Sequence, residues 1–201
     1  MKIKGILAGA LLFACTSAFA QHDHGDKKAG AHAMDPAAME AMAKAGQPGD
    51  AHKKLEPFVG TWDTKITMWM MPGTPPMTST GTATHRWIMG GRYLEQAFKG
   101  SMVGMPFEGI GYTGYDNVKK QYWGTWMDSM STGMMTSTGS SADGKIFRFD
   151  ATMADPVTGK DMPVEETITV VDADHHTMEM WMPGPDGKKF KTMEIAYSRK
   201  K

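Results

Sequence analysis

Methionine and histidine are the residues of this chain whose types and spacing could do chemistry. The sequence holds 21 methionines in 201 residues. Three groups are closely spaced: Met68, Met70 and Met71; Met130, Met134 and Met135; and Met178, Met180 and Met182, with His175 and His176 just ahead. Thioethers are soft ligands that suit Cu(I). The same side chain also fills irregular cores and lines adaptable apolar pockets. On a strand, Met178, Met180 and Met182 share one face with neighbours about 7 Å apart, too far for adjacent pairs to chelate easily. Packing is therefore the favoured role, and no metal site is assigned. A copper site would draw on Met178, Met180 and His176, or on Met68 and Met70. Weak Cu(I) binding is expected mainly through His22, His24 and His32, which stand in a polar stretch. His85, His175 or His176 could offer an imidazole to a haem in an open cavity, but no ordered motif supports one and no cofactor is expected.

Charged residues at apolar parity are the second candidates. Arg92 alternates in step with Leu94 and Phe98, Asp128 with Trp126 and Tyr122, and Glu166 with Val164, Ile168 and Val170. A charge on an apolar face is costly unless paired. Such groups serve either as structural ion pairs near a barrel end or as anchors for the head group of a bound molecule. Catalytic signatures are absent: there is no Gly-x-Ser-x-Gly elbow, phosphate-cradling Gly loop or His-Glu-x-x-His. The one cysteine, Cys15, lies in an N-terminal segment of a different kind. A non-enzymatic role is expected.

That segment, residues 1–20, has the parts of a secretory signal: Lys2 and Lys4, an apolar run from Ile6 to Phe13, and an Ala18-Phe19-Ala20 cleavage site. Cleavage after Ala20 and export to a bacterial periplasm are expected. The alternative is lipidation of Cys15 after Leu12-Phe13-Ala14, where Phe13 is bulky for such a motif. Lys+Arg and Asp+Glu balance at 22 each, so loss of Lys2 and Lys4 leaves a formal charge of −2. No basic field exists to attract nucleic acid or anionic lipid, and nothing after residue 20 is apolar for long enough to span a bilayer.

Residues 21–33 are polar and aperiodic, a disordered leader by composition. Residues 34–59 hold short helical segments: Asp35-Pro36 reads as a cap and first helical residue, Gly46 as a stop, and Leu55 and Phe58 as plugs for one end of a barrel. From Gly60-Thr61-Trp62 to residue 199, Gly, Pro, Asn and Asp clusters separate about ten strand-length runs. These are 61–71, 77–89, 92–99, 106–115, 119–128, 131–140, 145–154, 161–171, 175–182 and 188–198. Alternation turns Trp62, Ile66, Met68 and Met70 to one side of the first, and Phe147, Phe149 and Ala151 to one side of the seventh. Trp123 and Trp126 fall on opposite faces, which leaves the facing of 119–128 open. The pattern predicts an all-β fold: an antiparallel up-and-down, lipocalin-like (calycin-type) β-barrel preceded by a short N-terminal helix.

Six ordered motifs carry a resemblance: His52-x-x-Leu55, Gly60-Thr61-Trp62, Gly90-Gly91-Arg92-Tyr93-Leu94, Pro106-Phe107-x-Gly109, Gly114-Tyr115-Asp116-Asn117 and Trp126-x-Asp128-Ser129. Together they resemble the bacterial domain-of-unknown-function family 1579 over about residues 35–199. The resemblance implies a lipocalin-like barrel with no established activity and carries over no catalytic residue. The abundance of methionine departs from it.

The functional expectation is non-catalytic binding of a small, largely apolar molecule in the barrel. Trp62, Met68, Trp126, Met178 and Met180 would line the site, with Arg92 and Asp128 as polar anchors. The alternatives are a periplasmic copper-binding protein and a solid-core barrel serving as a structural or interaction module.

Overall fold

The structure, a computed structural model, describes residues 35–201; the signal and leader expectations fall outside them. Asp35 accepts a hydrogen bond from the Ala37 N–H at 3.1 Å and Pro36 opens α1 (Pro36–Ala45), as capping chemistry dictates. This helix buries no residue. The Asn117 amide holds its end, donating to the Ala45 and Gln47 carbonyls at 3.0 and 2.7 Å. A single turn, α2 (Asp50–Lys53), and a 3-10 turn (Glu56–Phe58) come after it.

Ten strands come next: β1 (Gly60–Met68), β2 (Met77–Ile88), β3 (Tyr93–Met102), β4 (Met105–Asp116), β5 (Gln121–Asp128), β6 (Met135–Ser140), β7 (Ile146–Ala154), β8 (Asp161–Val170), β9 (His175–Pro183) and β10 (Lys189–Arg199). Each pairs antiparallel with its sequence neighbours, and β10 pairs back onto β1, closing the barrel. Closure removes both sheet edges. Alternation then decides which side chains face in: Trp62, Thr64 and Ile66 are buried, while Asp63 and Lys65 between them are exposed.

Two expected runs overrun their strands by three residues or more. β1 stops at Met68 because Pro72 and Gly73 (φ 78°) turn the chain, so Met70 and Met71 are exposed and Met70 leaves the inward face. β6 begins at Met135 because Asp128 and Ser131 form side-chain-capped turns, accepting from the Met130 and Gly133 N–H groups at 2.9 Å each. Register resolves the fifth strand: Trp126 and Tyr122 face in beside Gly111 and Tyr115, whereas Trp123 packs outside against Tyr93.

One barrel end is plugged. Leu55 and Phe58 are buried with Leu94, Tyr122, Phe147 and Phe149. The plug is hydrogen-bonded as well as packed: the Tyr122 hydroxyl donates to the Ala51 carbonyl at 2.8 Å, and the Trp87 indole N–H to Glu56 Oε2 at 2.7 Å. The opposite end carries the β1–β2, β3–β4, β5–β6, β7–β8 and β9–β10 connections. Exposed Met70, Met71, Val103, Met105, Met130 and Met134 lie along them.

Candidate ligand-binding site

The interior wall is built by register. Met68, Met193, Met180, Glu166 and Phe149 sit opposite one another in turn on β1, β10, β9, β8 and β7. Ile66, Ile195, Met178, Ile168 and Phe147 form the next row toward the plug. Trp62, Ile66, Ala83, Phe98, Phe107, Ile195 and Tyr197 form one packed cluster. Glu166, Ile168, Met178, Met180 and Trp126 also face inward but are less completely buried, Trp126 and Met178 packing against that cluster and Ile168 against the plug.

The seven expected site residues spread along the barrel. Trp62 lies at the plug, fully buried, with its indole N–H donating to the Phe58 carbonyl at 2.8 Å and the Arg199 guanidinium 4.1 Å from its ring centre. This Arg–Trp closure is structural. Arg92 is also at the plugged end, in the β2–β3 turn, where its Nη1 donates to the Met89 carbonyl at 3.0 Å. It precedes β3 rather than sharing that strand's inward face. Met178 stands at mid-height, and Met68, Met180, Trp126 and Asp128 stand toward the open end. Asp128 is engaged locally: Oδ2 accepts from the Trp126 indole at 3.0 Å and Oδ1 from the Met130 N–H. The Trp126 ring lies over Gly109 and Gly111, where any Cβ would collide with it.

Two of the candidate imidazoles, His85 and His176, lie deep in the barrel. The His176 ring stacks on Tyr197 at 4.1 Å between centroids, with Trp62 edge-on at 4.3 Å and His85 at 5.9 Å. Both His85 nitrogens, His176 Nδ1 and Thr64 Oγ1 are buried without a hydrogen-bond partner. Burial holds the His85 pKa down to about 4, opposed in part by the Phe58 carbonyl. Burial, helped by the His85 and Arg199 charges, holds His176 at about 3. The sequence pattern places His175 and His176 together at an exposed junction; only His175 is exposed, paired with Asp172 at 2.8 Å. The step of one residue on β9 turns His176 inward. Glu166 faces inward between Phe149 and Met180, and burial pushes its carboxyl up to about 7.

Among the described residues no three His, Cys, Asp or Glu side chains converge as a metal site. Two surface depressions form outside the barrel, about 430 Å³ beside Trp69, Trp181 and Lys191 and about 450 Å³ against α1. Among the described residues, no helix is long and apolar enough to cross a membrane.

Ten closed antiparallel strands and a helical plug define a lipocalin-like β-barrel fold. Solved structures share that fold. The Rv2717c protein of M. tuberculosis aligns with a TM-score of 0.58 at 15% identity, over 77% of this chain and 100% of that one. The S-type phycobiliprotein lyase CPES of Guillardia theta aligns with a TM-score of 0.51 at 12% identity, over 80% of this chain and 97% of that one. Among curated proteins no match is found. The chain belongs to the family described as protein of unknown function (DUF1579), whose model matches residues 47–199.

Proposed function

We propose that this protein is exported, binds a small, largely apolar molecule inside its barrel and performs no catalysis on it. The observation that carries the reading is the inward-facing set of Ile168, Met178, Met180 and Trp126, apolar side chains of the wall that are not fully buried. Apolar groups left open inside a fold forgo about 25 cal/mol per Å² that an apolar ligand would recover. Thioethers adapt to varied ligand shapes. A phycobiliprotein lyase on the same fold is compatible with a binding use of such a barrel. Native mass spectrometry of protein purified from its host tests this. A non-covalent adduct should be retained, and Met178→Trp, which fills the space, should remove it. Protein free of any adduct, together with failure to bind apolar fluorescent probes, favours the solid-core reading.

A second reading rests on a different observation. Met68, Met193 and Met180 are direct cross-strand neighbours facing inward, and such pairs have Cβ atoms about 4.5–5.5 Å apart. That is closer than the about 7 Å spacing along one strand that argued against chelation, and three thioethers suit Cu(I). Titration of the full chain with Cu(I) against a competing chelator separates the two sources. A barrel site persists when His22, His24 and His32 are replaced by Ala and is lost in the Met68→Leu, Met180→Leu, Met193→Leu triple variant. The reverse pattern assigns binding to the N-terminal histidines.

A further inference from the structure

We propose that the barrel selects hydrophobic cations, apolar molecules carrying an ammonium head, and that Glu166 receives the head. The proposal rests on the interior-binding reading above and adds the chemical class of the ligand.

The charge inventory of the interior comes first. Among the described residues, strand parity turns two carboxyl groups inward, Glu166 in the row of Met180 and Met68, and Asp128 toward the open end. No lysine joins them: Lys65, Lys99, Lys145 and Lys189 are exposed on their strands and turns. Arg199 is consumed at the plug, donating to the Pro57, Val59 and Ala173 carbonyls, and Arg92 is held in its turn by the Met89 carbonyl. A carboxylate ligand would therefore shed its water and meet no counter-charge, which is prohibitive in an apolar site.

The state of Glu166 is the second observation. Its register neighbours are Phe149 and Met180, neither of which can pair with a charge. Among the described residues its carboxyl makes no hydrogen bond or ion pair; burial raises its pKa to about 7, and the Tyr197 hydroxyl, itself neutral and raised by burial, is the polar group that feels its charge. It nevertheless keeps open surface, unlike the enclosed nitrogens of His85. Its outward neighbour Glu165, by contrast, pairs with Lys189. A deep carboxyl with open surface and no protein partner is completed by a cationic donor from outside the chain. Trp126, Met178 and Met180 supply polarisable walls, which favour a cation over a neutral head of equal size.

The test uses three ligands with the same ten-carbon tail, decylammonium, decanol and decanoate, titrated calorimetrically into the full chain at pH 7.5. Decylammonium is expected to bind at least tenfold more tightly than decanoate. Glu166→Gln should weaken decylammonium at least fivefold while leaving decanol within twofold. Gln is isosteric and uncharged, so the variant relieves a buried charge rather than disturbing the fold, and thermal melting checks that it does. Decanoate binding as tightly as decylammonium, or an unchanged preference in Glu166→Gln, overturns the proposal while leaving interior binding intact. Failure of all three ligands to bind overturns the interior-binding reading itself.

Discussion

Trp62→Ala is expected to cost about 5 kcal/mol of folding stability, at or beyond the upper end of large-to-small core substitutions. Three losses coincide at this residue. The side chain is 1% exposed, so its removal leaves a cavity at the junction of plug and wall. The Phe58 carbonyl loses its indole donor, and an unpaired buried acceptor costs about 1–3 kcal/mol. Arg199 loses the ring it covers, a contact worth about 0.5–1 kcal/mol. Against a typical domain stability of about 5–15 kcal/mol, the variant sits at the edge of unfolding. Trp62→Phe keeps most of the packing and should lose about 2 kcal/mol. Urea midpoints measure both; a cost below about 2 kcal/mol for the alanine variant would show that this corner does not hold the barrel closed.

The same corner shows what was legible beforehand. Gly60-Thr61-Trp62 announced a strand start because each residue has a backbone or packing duty. Gly60 adopts φ 137°, and a Cβ there would collide with the Arg199 guanidinium. Ten strands could be read because period-2 alternation and turn chemistry are local. The inward-facing surface was harder, because facing across a barrel depends on register between strands far apart in sequence. Arg92 has the right parity for the wall but stands before β3 begins, in a turn. Asp128 faces the right way but is held by Trp126 and the β5–β6 turn. His176 was readable as an imidazole donor but not as a buried one beside exposed His175, since one residue of alternation separates solvent from core. Glu166 was visible as a charge at apolar parity, yet its lack of a partner emerges only from the company that register gives it. The thioether row of Met68, Met193 and Met180 is likewise a product of pairing, not of spacing along any one strand.

Acid should unfold this protein from within, before its surface carboxylates are protonated. His85 and His176 hold folded pKa values of about 4 and about 3, against 6.5 for an unperturbed imidazole. Folding therefore favours their neutral forms, while the unfolded chain takes up protons as pH falls through 6.5. The stability they permit is complete above pH 6.5 and is lost progressively down to about pH 4 and 3, each histidine costing roughly 3 kcal/mol or more. Glu166 acts in the opposite sense. Its folded value of about 7 lies above the unfolded 4.5, so its contribution is complete below pH 4.5 and is lost as pH rises toward 7. Two histidines outweigh one carboxyl over most of the shared window, so the urea midpoint should fall between pH 6.5 and 4.5 and fall more steeply below 4.5. Asp116, Asp143 and Asp155, lowered from 3.8 by turn hydrogen bonds, add their loss only below that value. His176→Phe, which keeps a ring among Trp62, Phe58 and Tyr197, should flatten the acid limb and leave pH 8 little changed. Glu166→Gln should instead raise stability by about 3 kcal/mol at pH 8 and do little below pH 4.5. An acid limb with the same slope in His176→Phe as in the parent would place the proton uptake elsewhere and remove the buried imidazole as its cause.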